Sequence, residues 1–153
     1  MSRAVSAIEK KVPPPVLVGV LAVIIWVLPR ATDPSSLLSP VGVALLVAGL
    51  GINAWPKELF RRVGTSVNPV QPELTSALII HGPYRFTRNP MYLGYALALL
   101  GLSAWLAQPW GLLVVVFFVA YITRFQILPE ERHLSSRFPT QYAVYCRAVR
   151  RWV

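Results

Sequence analysis

Residues 82–94, Gly82-Pro83-Tyr84-Arg85-Phe86-Thr87-Arg88-Asn89-Pro90-Met91-Tyr92-Leu93-Gly94, set a dense polar turn against the mouth of a long charge-free run. Asn is a favoured helix N-cap and Pro fits the first helical position, so Asn89-Pro90 reads as a helix start whose free amides face the turn. Helix N-termini attract anions, and Arg85 and Arg88 add formal positive charge beside this one, which suits an amino-acid carboxylate or a phosphate. The chain stays uncharged from 89 to 123 and returns with Arg124, Glu130 and Glu131. Two polar clusters bracket one apolar hairpin, and that bracket is the candidate active site.

Each of these residues has a plainer reading. Arg85 and Arg88 also suit snorkelling at a membrane surface, and Tyr84 and Tyr92 suit an aromatic belt. Arg124 sits about one turn before Pro129, where a guanidinium near lipid is costly unless it faces a polar cavity or snorkels out. Glu130 and Glu131 follow Pro129 at an expected helix start, where carboxylates complement the dipole. The alternative is that one of them reaches back to a cation or to ribose hydroxyls.

The elements that must hold these residues follow from composition. With 153 residues, 55% of them apolar, and a mean hydropathy of +0.53, the chain carries more apolar surface than a soluble domain of this size buries. An integral membrane protein is expected. Roughly 20 apolar residues cross a hydrocarbon core about 30 Å thick. Runs at 13–29 and 37–55 supply one crossing each, and the run from 89 to 123 is long enough for almost two. Pro109 removes a helical hydrogen bond and biases Gln108 away from helical geometry, which splits the long run into 90–107 and 110–128. The expected fold is an all-α bundle of about four transmembrane helices in a single domain, 1–153, with spans three and four forming a hairpin.

Lys10 and Lys11 before the first run invite a signal-peptide reading, but Leu28-Pro29-Arg30-Ala31-Thr32 offers no small-x-small cleavage site. Arg3, Lys10, Lys11, Lys57, Arg61, Arg62, Arg85, Arg88 and the arginines of the tail fall on one side of the expected spans, and Arg30 on the other. The positive-inside rule then puts both termini and the 56–89 connection in the cytoplasm of an inner-membrane protein. The net charge of +9 is a topology signal that suits anionic headgroups, and no separate basic domain supports nucleic-acid binding. One cysteine, Cys146, and two histidines, His81 and His133, leave no metal-ligand spacing.

Gly42, Gly49 and Gly51 with Ala44 and Ala48 make a small-residue face suited to close helix packing in lipid. Residues 56–62 are expected to continue span two as a short interfacial helix that Gly64 stops, and 78–80 to run extended. In the segment 130–153, Leu134, Phe138, Tyr142, Tyr145, Val149 and Trp152 recur at helical spacing interrupted by Pro139, which predicts two short amphipathic helices in the interface.

Gly-Pro-Tyr-Arg-x-x-Arg-Asn-Pro-Met-Tyr-x-Gly, an apolar hairpin, and then Glu-Glu-x-x-Leu-x-x-x-Phe-x-x-x-Tyr-x-x-Tyr resembles the isoprenylcysteine carboxyl methyltransferases and the related phospholipid methyltransferases over residues 75–152. The resemblance implies an S-adenosylmethionine-dependent membrane methyltransferase. Ser76, Ala77, Leu78, Ile79, His81, Tyr84, Arg88, Asn89, Pro90, Met91, Tyr92 and Glu130 would bind the cofactor, and Arg124 and Glu131 would act in catalysis. Asn89 stands where many eukaryotic relatives carry His, and Pro139 where Gly is usual. A lipophilic acceptor, such as the carboxylate of an isoprenylcysteine, would arrive from the bilayer. A membrane reductase using a nicotinamide cofactor and a non-catalytic helical subunit are the alternatives.

Overall fold

A computed structural model describes residues 12–29, 38–63 and 78–153. Every regular element among the described residues is helical. Ser76, Ala77, Gly64 and the charges at Arg3, Lys10, Lys11, Arg30 and Asp33 lie outside the described residues.

Helix α1 (Pro14–Val27) begins on the proline run, with Pro13 at the N-cap and proline at its first positions. The fixed proline φ suits a first turn, and the missing N–H is one the helix would not have used. Leu21 and Ile25 face inward, while Val16, Val20, Val23 and Trp26 are exposed. Both ends of α1 are pinned by buried glutamines. Gln126 donates Nε2–H to the Val12 carbonyl at 3.0 Å, and Gln108 donates to the carbonyl of Leu28.

Helix α2 (Leu38–Val63) runs 26 residues without a break, with Pro56 inside it. The second span and the interfacial helix expected after it are therefore one element. Helix α3 (Pro90–Trp105) packs along α2 in the broadest contact of the fold. Four glycines seven residues apart in pairs make that possible. A β-carbon at Gly49 would lie 2.5 Å from the Ala98 amide nitrogen, and one at Gly94 would lie 2.5 Å from the Asn53 nitrogen. Gly42 and Gly101 meet backbone of the facing helix in the same way. Backbones this close leave no room for a side chain. Gly51 faces open space and Ala44 and Ala48 are exposed, so the expected small-residue face narrows to Gly42 and Gly49.

The hairpin turn falls where Pro109 placed it. Leu106 ends α3, Ala107 takes a left-handed φ of 53°, and α4 (Gly111–Ile122) starts four residues later. Ser103 donates its hydroxyl to the Gln108 carbonyl at 2.5 Å, and the Gln108 N–H returns to the Ser103 carbonyl at 2.9 Å.

Pro129 does not start a new helix. Helix α4 widens into a π-turn (Thr123–Ile127) and continues as α5 (Leu128–Arg137), so that 27 residues, Gly111–Arg137, form one helix. The proline ring would crowd the carbonyl of Phe125 one turn back. The π-turn opens the backbone there, with the Leu128 N–H reaching back five residues to the Thr123 carbonyl. Glu130 and Glu131 therefore do not cap a free helix end. Phe138 breaks the chain with φ −129° and ψ 60°, and α6 (Pro139–Ala148) follows with Pro139 in its first turn.

The buried core gathers Leu21 and Ile25 of α1, Tyr92, Tyr95 and Leu99 of α3, and Phe118, Ile122 and Ile127 of the long helix. Gly111–Arg137 is long and apolar enough to cross a membrane; α1 and α3 are apolar and shorter, at 14 and 16 residues. Val41, Val47, Leu50, Leu112, Leu113, Val116 and Phe117 form further outward apolar surface.

Candidate active site

The polar loop is built by conformation before chemistry. Gly82 adopts φ +64°, a left-handed value that favours glycine, and opens a 3₁₀ turn (Gly82–Arg85). His81 precedes the turn and is exposed, Leu78 is half-buried and Ile79 is buried. Residues 78–80 belong to no helix or strand.

Asn89 and Pro90 occupy the N-cap and first helical positions of α3, as the sequence predicts, yet Asn89 makes no side-chain cap. Its side-chain amide donates instead to the Arg151 carbonyl at 2.9 Å, and its own N–H goes to the Thr87 hydroxyl at 3.2 Å. The capping role is thereby replaced by a link to the tail. The Thr87 hydroxyl donates to the same carbonyl at 3.2 Å, and the Arg88 N–H donates to the Arg150 carbonyl at 3.0 Å.

The two sequence motifs meet. Tyr92 on α3 donates its hydroxyl to Glu130 Oε1 on α5 at 2.8 Å. Glu131 accepts two bonds from Arg151, Nε at 3.0 Å and Nη2 at 2.8 Å, in the fork geometry that strengthens guanidinium–carboxylate pairs. Arg88 Nη1 lies 3.3 Å from the same carboxylate, and both Arg88 and Glu131 are mostly buried. Arg88 also donates to Cys146 Sγ at 2.6 Å. Its Nε is buried without a partner. Tyr145 donates to the Tyr84 carbonyl at 2.7 Å, tying α6 to the 3₁₀ turn.

The phenols here are held neutral. Burial pushes the Tyr84 pKa well above the usual phenol value, and the Glu130 carboxylate and Tyr145 push the same way. Burial raises Tyr145 to about 12 although Arg88 pulls it down. The hydrogen bonds from Arg151 to Glu131 raise the arginine's pKa further. The cluster therefore presents neutral hydroxyl donors and aromatic rings beside the Glu130 carboxylate, with Glu131 held by the two arginines.

Arg124 is half-buried in the π-turn, its guanidinium 5.5 Å from the Phe125 ring centre. It lies about two turns before the acid pair on the same helix. Met91 contributes its carbonyl, which accepts from Asn53 Nδ2 at 2.9 Å; Lys57 in turn donates to Asn53 Oδ1 at 2.6 Å and sits 5.7 Å from the Tyr95 ring centre. A cleft of about 310 Å³ opens between the 3₁₀ turn and α6, lined by Ile80, Arg85, Val144 and Tyr145 among others.

Sequence reasoning passed over Asn53, Lys57, Thr87, Thr123, Gln126, Arg151 and Trp152. Asn53 and Gln126 carried a usable signal, since an amide inside an apolar run is costly without a partner. Arg151 looked like one more positive-inside residue, and Trp152 like one more interfacial aromatic.

A family model described as phospholipid methyltransferase matches residues 38–141. An uncharacterised protein of Haemophilus influenzae is 41% identical over 63 residues, which cover 41% of this chain and all of that protein. No solved structure matches the chain significantly. The match spans α2, the motif loop, the hairpin, the acid pair and the start of α6, the same elements that Tyr92, Glu130, Arg88 and Glu131 draw together, and the chain belongs to the phospholipid methyltransferase family.

Proposed function

We propose that this chain is an integral-membrane methyltransferase that takes its methyl group from S-adenosylmethionine and passes it to a lipophilic acceptor. The observation that carries the reading is the closure of the two motifs on each other, Tyr92 on Glu130 and Arg88 on Glu131. The residues suit the cofactor's charges. Glu130, with the donating hydroxyl of Tyr92 and the neutral phenol of Tyr84 beside it, suits a cationic sulfonium, and the buried unpartnered Nε of Arg88 suits a carboxylate. On this proposal Ser76, Ala77, Leu78, Ile79, His81, Asn89, Pro90 and Met91 would complete the cofactor site.

When bound, the cofactor supplies a methyl group activated as a sulfonium. The protein's part is to align and desolvate, because displacement at a sulfonium needs a positioned nucleophile more than a strong base. Arg124 orients the anionic head of the acceptor, a carboxylate of the isoprenylcysteine type or the phosphate of a phospholipid. Glu131, clamped by Arg88 and Arg151, acts by holding the motif loop against α5. This differs from direct participation in catalysis, the role that its place in the motif suggested.

The same proposal has α1, α2, α3 and the long helix crossing an inner membrane, with both termini and the site on the cytoplasmic side. The outward apolar residues of α1, α2 and α4 support the crossing, and the one-sided basic residues support the orientation. Calorimetry on the purified protein with S-adenosylmethionine, its demethylated product and NADPH tests the reading. Binding of the first two is expected. Binding of NADPH alone supports a reductase and removes the proposal, and binding of none supports a non-catalytic subunit.

A further inference from the structure

The last five residues return across the site and end on the π-turn. The carbonyls of Arg150 and Arg151 take donors from Arg88, Thr87 and Asn89, and the Arg151 side chain forks onto Glu131. Trp152 then packs against the core and donates its indole N–H to Thr123 Oγ1 at 3.2 Å. The Thr123 hydroxyl is itself aimed by donating to the Val119 carbonyl at 2.6 Å. Three residues later in the π-turn, Gln126 is fixed to Val12. Arg124 is thus carried between two anchored side chains, in a backbone geometry less favourable than an α-helix and dependent on outside support.

We propose that Trp152 is a positioning residue for methyl transfer, acting through Thr123 to hold the π-turn that aims Arg124. The proposal rests on the reading of Arg124 as the acceptor-orienting group. It gives the tail a function separate from that of Arg151, which secures the motif loop.

The test uses the full chain in lipid nanodiscs. Trp152→Phe keeps the aromatic bulk and removes the N–H; Thr123→Val keeps the shape and removes the hydroxyl; Thr123→Ser restores it. Backbone hydrogen exchange over residues 123–128 is expected to quicken about tenfold in Trp152→Phe and Thr123→Val, with α3 unchanged and Thr123→Ser near the parent. With N-acetyl-S-farnesylcysteine and phosphatidylethanolamine as acceptor probes, kcat/KM should fall about tenfold while the Kd for S-adenosylmethionine stays within about twofold. The double variant should be no worse than the poorer single variant, as for two residues acting through one bond.

Parent-like exchange in Trp152→Phe overturns the proposal whatever the activity does. So does exchange that quickens equally in every helix, or a turnover loss matched by loss of cofactor binding, since either marks a general structural role. A parent that binds no S-adenosylmethionine withdraws the functional reading, and the exchange experiment still decides whether the tail holds the turn.

Discussion

The hydroxyl of Tyr92 and the carboxylate of Glu130, 38 residues apart, meet at 2.8 Å and join the start of α3 to the start of α5. The bond closes the apolar hairpin at its polar end, as the Ser103 and Gln108 pair closes it at the turn. Tyr92→Phe should therefore cost about 1.5–3 kcal/mol of stability, the usual net worth of a hydrogen bond to a charged group. Glu130→Gln keeps an acceptor for Tyr92 but loses the charge, so its melting temperature should stay close to the parent's while S-adenosylmethionine binding, read by calorimetry, is abolished. Retained binding in Glu130→Gln would remove Glu130 from the cofactor site.

Glu131→Gln should behave in the opposite way. It leaves Arg88 and Arg151 without their shared counter-charge, and charge-assisted hydrogen bonds are worth about 1.5–3 kcal/mol. A loss of about 2 kcal/mol in denaturant or thermal unfolding is expected, discounted for the partial exposure of Arg151. A stable Glu131→Gln protein with normal unfolding would show that the clamp contributes nothing to the fold.

Gly94→Val drives a branched side chain into the backbone of α2. Overpacking costs typically about 1–3 kcal/mol, and here the neighbour is main chain that cannot turn aside. Gly51→Ala faces open space and should leave stability within about 0.5 kcal/mol. Thermal unfolding of the two variants in one detergent compares them directly.

Ala107 holds a left-handed φ at the position after the α3 C-cap, where glycine is the usual residue. The left-handed region costs a residue with a β-carbon about 1 kcal/mol. Ala107→Gly should raise stability by up to that amount, offset in part by greater freedom in the unfolded chain. A drop in melting temperature would contradict the assigned turn.

Arg124→Lys keeps a charge and loses the planar fork, and Arg124→Ala loses both. Acceptor kcat/KM should fall in the order parent, Lys, Ala, by about 2–4 kcal/mol for Ala, with S-adenosylmethionine affinity nearly unchanged. Equal losses in both measurements would make Arg124 a cofactor residue.

Much of the architecture was legible because apolar runs and prolines act locally. The proline run opened α1, Pro109 set the hairpin turn, and the break before Pro139 divided the tail. Pro129 misled for the same reason. Alone, it reads as a helix start, but an apolar helix approaching it can widen by a turn and pass through, and nothing in the four residues before it signals that choice. Asn89 was legible as a position and not as a contact, since its partner lies 62 residues away in a tail whose backbone carbonyls leave no mark in the sequence. Gly42 and Gly49 pointed to close packing, while Gly94 and Gly101 were absorbed into the motif and the apolar run and so went unpaired.

The two glutamines that pin α1 also fix a thickness. Gln126 and Gln108 hold the carbonyls of Val12 and Leu28, which are 16 residues apart in number and so about 24 Å apart at roughly 1.5 Å per helical residue. A typical hydrocarbon core is about 30 Å. On the four-span reading, α1 is shorter than the membrane around it, while α2 and the 27-residue helix Gly111–Arg137 are not, and the two hydrogen bonds resist lengthening or sliding of α1 to match. The lipid must adjust instead. Thinner bilayers should therefore be the better solvent for this fold, and activity and melting temperature should both rise as acyl chains shorten toward the match.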